Sequence, residues 1–174
     1  EFAEPFCRFM DFLMLGVGMG SDVRGAGPII IQAPAEPPLT FIVEDTREGW
    51  VAAVLGQLTS FFKGTNRLSF DFSRIRKEGA PLKTLGGTSS GHAPLARLLN
   101  AIELILGDRI GAPITVTNIA DILNEIGVCV VSGNIRRSAE ILLGNDGDEE
   151  FASLKDPQQL RVWAVKIAKI EDSV

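Results

Sequence analysis

The feature that most limits the fold of this chain is a helical pattern followed directly by a strand pattern. Between Trp50 and Phe62, apolar side chains recur at a spacing that places them on one face of a helix. The segment 68–73 then alternates strictly between apolar and polar residues, which is typical of a strand with one buried face. Helix and strand patterns continue to alternate along the chain. The sequence therefore predicts an α/β fold, with residues 1–174 forming a single domain.

The other predicted elements follow from spacing, prolines and capping residues. Apolar spacing predicts helices over 5–15 and 95–106 and a further helix capped by Thr115 or Thr117, and Asp45 is predicted to cap the central helix. Strand-like pieces lie at 28–32, 40–43 and 140–143. Three prolines predict a surface loop over 33–38, because proline lacks a backbone donor for a sheet. An acidic turn at 145–150 and a last helix from Pro157 complete the prediction.

Charge and composition exclude some classes of partner. The net charge is −5 with a pI near 4.9, and no basic stripe is visible, so a nucleic acid polymer is not an expected partner. Free nucleotides need only a local cationic loop and remain compatible. No stretch is long and apolar enough for a membrane span, so we expect no membrane partner and a cytoplasmic setting. Because the chain begins at Glu1 without Met, we expect it to be part of something longer.

The cysteines and the single histidine do not form a recognisable metal or redox site. Cys7 and Cys129 lie far apart, each among apolar neighbours, and are expected to be buried thiols. His92 has no second ligand nearby, so no metal site is predicted.

Two loops have the chemistry of anion sites. The first runs from Gly86 to Gly91 and places small residues and hydroxyls just before a helix, where backbone N–H groups are free. No lysine follows its last glycine, so it is not a P-loop, and spacing alone favours a flexible turn. The second runs from Gly133 to Ser138 and contains Arg136 and Arg137, whose planar forks suit phosphate or a base edge. Ordinary surface salt bridges explain this pair equally well.

Read together, these segments resemble the adenosylcobalamin-dependent (class II) ribonucleotide reductases, particularly the monomeric triphosphate-reducing type. The matching pieces occur in the family's order, and the resemblance spans roughly residues 5–156. The two most specific motifs are DTREGW from Asp45 to Trp50 and GNIRRSAE from Gly133 to Glu140. The others are 5–14, 18–20, 68–76 with Gly79, and 86–91.

The resemblance implies a partial ten-stranded α/β barrel, with this chain supplying an early barrel segment and the allosteric-effector region. It implies a deoxynucleoside triphosphate as effector and a ribonucleotide as substrate of the intact enzyme. The loop from Gly133 to Ser138, including Asn134, would lie between the two, with Arg136 and Arg137 relaying effector identity to the substrate base. The comparison also places a further set near effector or substrate: Asp71, Arg76, Gly86, Gly87, Thr88, Ser89, Ser90 and Gly91.

The departures from the family limit what this chain is expected to do alone. The Asn-Pro-Cys-Gly-Glu motif that contains the family's radical cysteine is absent. The redox partner cysteine is also absent, and Cys7 does not match that cysteine. The family's cobalamin-contacting segments lie downstream, so adenosylcobalamin is expected to belong to the full-length enzyme and not to this chain. We therefore predict no catalytic residue here and no turnover by the chain alone. We also predict self-association through open barrel edges, burying phenylalanines such as Phe61, Phe62, Phe70 or Phe72. The alternatives are a non-catalytic nucleotide-binding module and a structural remnant that binds nothing.

Overall fold

The computed structural model describes residues 2–82, 87–132 and 139–156. Helices and strands alternate along much of this part of the chain, as the sequence predicts. The helices are α1 (Glu4–Met14), α2 (Arg47–Lys63), α3 (Ala93–Gly107), α4 (Val116–Val131) and the short α5 (Glu149–Ser153). The strands are β1 (Met19–Asp22), β2 (Ala35–Ile42), β3 (Asn66–Asp71) and β4 (Glu140–Leu143).

The central unit is a β2–α2–β3 crossover in which the two strands run parallel. Leu39 pairs with Leu68 and Phe41 with Phe70, so the apolar faces of both strands point to the same side. Helix α2 begins after Thr46, whose hydroxyl accepts a hydrogen bond from the Gly49 N–H. The helix ends at Gly64, which adopts a left-handed conformation with φ of 65°. Thr46 therefore occupies the cap position that the sequence assigned to Asp45.

The four long helices form the core. Helix α1 packs against α2 and α4, and α3 packs against the same two helices, which closes a four-helix arrangement. Its centre contains side chains with no exposed surface. They include Met10, Leu13, Leu58, Leu98, Ile102 and Ile126. Burying large apolar side chains of this kind contributes roughly 1.5–3 kcal/mol each relative to exposure, so this cluster is the main source of stability.

A second pair of parallel strands joins two distant segments. Met19 of β1 pairs with Glu140 of β4, and the ladder continues to Asp22 and Leu143. Helix α1 ends at Met14, and Gly16 turns the chain with a φ of 81° before β1 begins. The sequence predicted β4 but not β1, because the glycines at its start weaken the local strand pattern.

The region of the prolines differs from its prediction. The segment 33–38, predicted as a surface loop, contains the first half of β2, and 28–32 forms only an isolated bridge from Ile30 to Pro113. Pro37 and Pro38 lie where the register shifts between Ala35 and Leu39, so no ladder donor is required of them. The segment 145–150 is also more ordered than predicted, since the Asp148 side chain caps α5.

Within the described residues the strands form two separate two-stranded sheets, β1–β4 and β2–β3. The α/β class is thus confirmed, whereas a ten-stranded barrel is not seen at this extent of chain. Two of the four phenylalanines predicted to take part in self-association are not exposed. Phe61 and Phe62 are buried in the core, and only Phe70 and Phe72 are partly exposed. The predicted last helix from Pro157 lies outside the described residues.

Candidate functional site

A small open cavity lies where the end of α1, the start of α2, the end of α4 and the loop before α3 meet. Its volume is about 140 Å³. Two guanidinium groups and several hydroxyls line one part of it, and apolar side chains line the rest. The lining residues are Met14, Asp45, Thr46, Arg47, Trp50, Arg76, Leu82, Thr88, Ser89, Ser90, Cys129 and Val130.

The parallel arrangement of β2 and β3 brings Arg76 and Asp45 together. Both residues follow the carboxyl ends of their strands, and these ends meet at one edge of a parallel sheet. Arg76 Nε donates to Asp45 Oδ2 at 2.6 Å, and both side chains are about one-third exposed. The same edge pairs Arg74 with Glu44 on the surface. A partly buried guanidinium is thereby held at the cavity by the local fold.

Arg47 is the second guanidinium of the cavity and is the first residue of α2. Its Nη1 donates to Asp11 of α1 at 2.5 Å, and its Nη2 donates to Glu48 at 2.7 Å. The Arg47 side chain is 31% exposed and that of Asp11 is 35% exposed, so water screens this pair only in part. Arg47 therefore joins α1, α2 and the cavity.

The loop before α3 supplies the hydroxyls. The Gly79 N–H donates to the Ser89 carbonyl and the Ser89 N–H to the Ala80 carbonyl, which folds the loop back on itself. Ser89 Oγ accepts from the Gly91 N–H, and Gly91 has a φ of 68°. A side chain at Gly91 would lie 3.2 Å from the Glu78 backbone nitrogen, so this turn requires glycine. Thr88, Ser89 and Ser90 line the cavity as a result.

The cavity contains no reactive thiol. Cys129 lies in its wall, but burial, with a smaller contribution from Glu125, raises the pKa of its thiol to about 12. Burial likewise raises the pKa of Cys7 to about 11. Both thiols are protonated at neutral pH and are poor nucleophiles. The sequence prediction of two buried thiols is confirmed.

The structure brings some of the predicted site residues together and separates others. Arg76, Thr88, Ser89 and Ser90 line the cavity, and Gly87 and Gly91 lie in the loop that carries the hydroxyls. Asp71 does not line it. The Asp71 carboxylate accepts the Ser73 N–H at 2.8 Å, which lowers its pKa, so it closes a local turn. Gly86 and the residues Gly133, Asn134, Arg136, Arg137 and Ser138 lie outside the described part of the chain.

Thr46, Arg47 and Trp50 line the cavity but are not among the site residues predicted from the sequence. They lie in the DTREGW segment, which predicts a helix start and carries a family motif. Charged and aromatic residues at the start of a helix that follows a parallel strand were the available signal, because ligands gather at that edge.

The first turn of α2 packs closely against the Glu44 backbone because Gly49 lacks a side chain. A Cβ at Gly49 would lie 2.4 Å from the Glu44 carbonyl oxygen, next to Asp45. We expect Gly49→Ala to lower the free energy of unfolding by about 1–3 kcal/mol, since overpacking forces backbone shifts of this kind. Urea denaturation measures the change. Gly107→Ala is the control, because open space surrounds Gly107, and equal destabilisation by both variants would contradict the expectation.

Residues 2–82, 87–132 and 139–156 contain no group of three histidine, cysteine or acidic side chains that could hold a metal ion. None of the helices described here is long and apolar enough to cross a membrane.

Comparisons with known proteins agree on one family. A family model for the B12-dependent ribonucleotide reductase insertion domain matches residues 31–106, which comprise β2, α2, β3 and most of α3. An adenosylcobalamin-dependent ribonucleoside-triphosphate reductase of Euglena gracilis is 49% identical over 153 residues, covering 87% of this chain and 21% of that protein. One from Lactobacillus delbrueckii is 43% identical over 148 residues, covering 82% and 19%.

The fold of the chain is also similar to that of a solved structure. A crystal structure of a B12-dependent (class II) ribonucleotide reductase superposes with a TM-score of 0.79 at 29% identity. The match covers 91% of this chain and 27% of that one. The chain thus spans about a fifth of the length of the curated relatives named above.

Proposed function

Because the chain belongs to the family of adenosylcobalamin-dependent (class II) ribonucleotide reductases, we propose that it contributes the nucleotide-effector region of such an enzyme. The proposed ligand is a deoxynucleoside triphosphate, bound in the cavity between α1, α2, α4 and the loop before α3. The proposed whole-protein activity is the reduction of ribonucleoside triphosphates to deoxyribonucleotides, as the names of the relatives indicate.

The observation that carries this proposal is the pairing of two guanidiniums with an indole in one cavity. Arg47 and Arg76 both line it, and guanidinium forks suit phosphate oxygens. Trp50 lies in the same wall and offers a flat apolar surface for a base. Hydroxyls of Thr88, Ser89 and Ser90 add donors for phosphate or sugar oxygens. A polyphosphate with an attached base uses all three kinds of group.

The position of α4 supports the proposed role of the second loop. Cys129 and Val130 near its end line the cavity, and Ser132 lines an adjoining cavity together with Glu78 and Ser90. Residues 133–138 follow directly and lead to β4. We propose that Arg136 and Arg137 sense the bound effector and transmit its identity to the substrate site of the intact enzyme. Ser132, the residue directly before the loop, lines a cavity beside the proposed effector site, and this position favours the proposed role.

Radical chemistry is assigned to other parts of the intact enzyme. Adenosylcobalamin is the cofactor of the relatives, and it would supply the radical when bound to the whole protein. The cavity is open and its volume is about 140 Å³, so only part of a nucleotide would lie inside it, and the much larger corrin ring would not fit. No step is therefore assigned to the cofactor here, and the two protonated thiols offer no redox pair.

The open strand edges fit a larger barrel. Parallel sheets are normally covered on both faces and continued by further strands. Here the parallel pairs β1–β4 and β2–β3 stand apart, and Leu39, Ile42, Ile141 and Leu143 on them are largely exposed. We propose that further strands of a ten-stranded barrel continue these pairs in the intact enzyme, and that the isolated chain self-associates through the same edges.

Equilibrium titration with the four deoxynucleoside triphosphates tests the proposed function. We expect saturable binding that Arg76→Ala weakens by about 10- to 100-fold, the equivalent of about 1.5–3 kcal/mol for a hydrogen bond to a charged group. Arg24→Ala is the matched control, because Arg24 forms an exposed pair with Asp22 and does not line the cavity. Arg136→Ala and Arg137→Ala are expected to weaken binding as well.

Two outcomes of this titration would contradict the proposal. Absence of saturable binding up to millimolar nucleotide would favour a structural remnant. Binding that Arg76→Ala and Arg24→Ala weaken equally would place the site away from the cavity.

A further inference from the structure

Each guanidinium of the cavity already has a carboxylate partner from this chain. Arg76 is paired with Asp45 at 2.6 Å, and Arg47 with Asp11 at 2.5 Å. The two pairs differ in what they connect. Asp45 and Arg76 belong to one β–α–β unit, at the ends of neighbouring strands. Asp11 lies 36 residues from Arg47 and belongs to a different helix, so this pair fastens α1 to the first residue of α2.

An anion in the cavity and the Asp11 carboxylate compete for the same cation. A guanidinium prefers the fork geometry with one planar anion, and Arg47 already gives Nη1 to Asp11 and Nη2 to Glu48. A polyphosphate placed at Arg47 would also lie near the negative charge of Asp11, and partial burial of the pair leaves that repulsion incompletely screened. The anion therefore gains Arg47 only to the extent that Asp11 releases it.

Release of Arg47 by Asp11 would affect the packing of α1. Asp11 is flanked on its helix by Met10, Leu13 and Met14, which are all buried, and Met14 also lines the cavity. The other side-chain polar contact between α1 and α2 in the described residues is long, with Cys7 Sγ 3.9 Å from the Val51 carbonyl oxygen. The Asp11–Arg47 pair is thus the strong polar link between the two helices among the contacts described.

From these observations we propose that Asp11 is an internal counterion of the anion site, so that anion binding and the attachment of α1 to α2 oppose each other. The proposal rests on the proposed function, since it concerns regulation of the same cavity. By linkage, whatever strengthens the Asp11–Arg47 pair weakens anion binding by the same factor, and the converse also holds. Anion binding in the cavity would then loosen the attachment of α1 to α2, and the segments that follow α1 would be affected by that change.

Inorganic triphosphate is the direct probe, because it carries the charge without base or sugar. We expect Asp11→Asn to tighten triphosphate binding roughly 3- to 10-fold in calorimetric titration at low salt, as the lost carboxylate no longer competes for Arg47. Asp22→Asn is the matched control, since it makes the same charge change in an exposed pair outside the cavity. It is expected to change the affinity less than about twofold.

A second readout follows the pair itself. In the chain labelled with carbon-13, saturating triphosphate is expected to shift the Asp11 carboxyl resonance and the amide resonances of α1. In Arg47→Gln the Asp11 shift is expected to be lost. A purely structural Asp11 would leave its resonance unmoved by triphosphate, and that result would overturn the proposal.

The outcomes separate this proposal from the proposed function. Triphosphate binding by the unmodified chain that Asp11→Asn leaves unchanged or weakens would overturn the counterion role while the anion site stands. If neither the unmodified chain nor Asp11→Asn binds triphosphate, the anion site is overturned and the counterion role with it. Tighter binding by Asp11→Asn and not by Asp22→Asn supports both.

Discussion

Leu98→Ala is expected to lower the free energy of unfolding by about 2–5 kcal/mol, because it leaves a cavity in a close-packed core. Leu98 has no exposed surface and lies on α3 between the helices that α3 contacts, α2 and α4. Because α2 and α4 both pack against α3, we expect the site to collapse only in part. Urea denaturation followed by circular dichroism measures the loss.

The same substitution elsewhere on α3 provides the control. Leu104 is on the same helix but is 43% exposed, so Leu104→Ala removes little buried surface and is expected to cost less than about 1 kcal/mol. Similar losses of unfolding free energy for the two variants would contradict this four-helix core, in which Leu98 is buried and Leu104 is exposed.

Arg97→Met is the second substitution with a large expected effect. Glu125 of α4 is only 4% exposed, and Arg97 of α3 provides a positive charge with its Nε 3.9 Å from the carboxylate. Burial raises the pKa of Glu125, and Arg97 opposes that shift. Breaking a buried ion pair costs about 3–5 kcal/mol, and the partial exposure of Arg97 reduces the expectation to about 2–3 kcal/mol at pH 7.

The pH dependence of Arg97→Met has a definite sign. A carboxyl whose folded pKa lies above its unfolded pKa binds a proton more readily in the folded state, so stability rises as pH falls toward the unfolded value. The variant is therefore expected to regain stability from pH 7 down to about pH 5. Adding Glu125→Gln is expected to remove most of this pH dependence. A pH-independent loss that persists with Glu125→Gln would show that Arg97 stabilises the chain in some other way.

Local patterns sufficed to predict α2 and β3. The apolar face of α2 and the alternation of β3 were predicted because each depends on spacing within a dozen residues. The loop predicted over 33–38 is wrong because Pro37 and Pro38 lie at a break in the register of β2, where the ladder needs no donor from them. β1 was not predicted because Met19 to Asp22 become a strand only by pairing with β4, more than a hundred residues away.

The candidate site was predicted only in part for a similar reason. Arg76 and the hydroxyls of Thr88 to Ser90 were expected near a nucleotide, on the basis of family resemblance, and they do line one cavity. Arg47 was missed because its importance depends on Asp11, a partner on another helix. No spacing rule connects these two positions, since their proximity results from how α1 packs on α2.

A crystal structure of this chain with a bound deoxynucleoside triphosphate tests the central claim most directly. We expect phosphate oxygens within hydrogen-bonding distance of both Arg47 and Arg76, with the base against Trp50 and the Arg47–Asp11 pair opened. Nucleotide bound at another surface, with Arg47 and Arg76 still paired to Asp11 and Asp45, would contradict it.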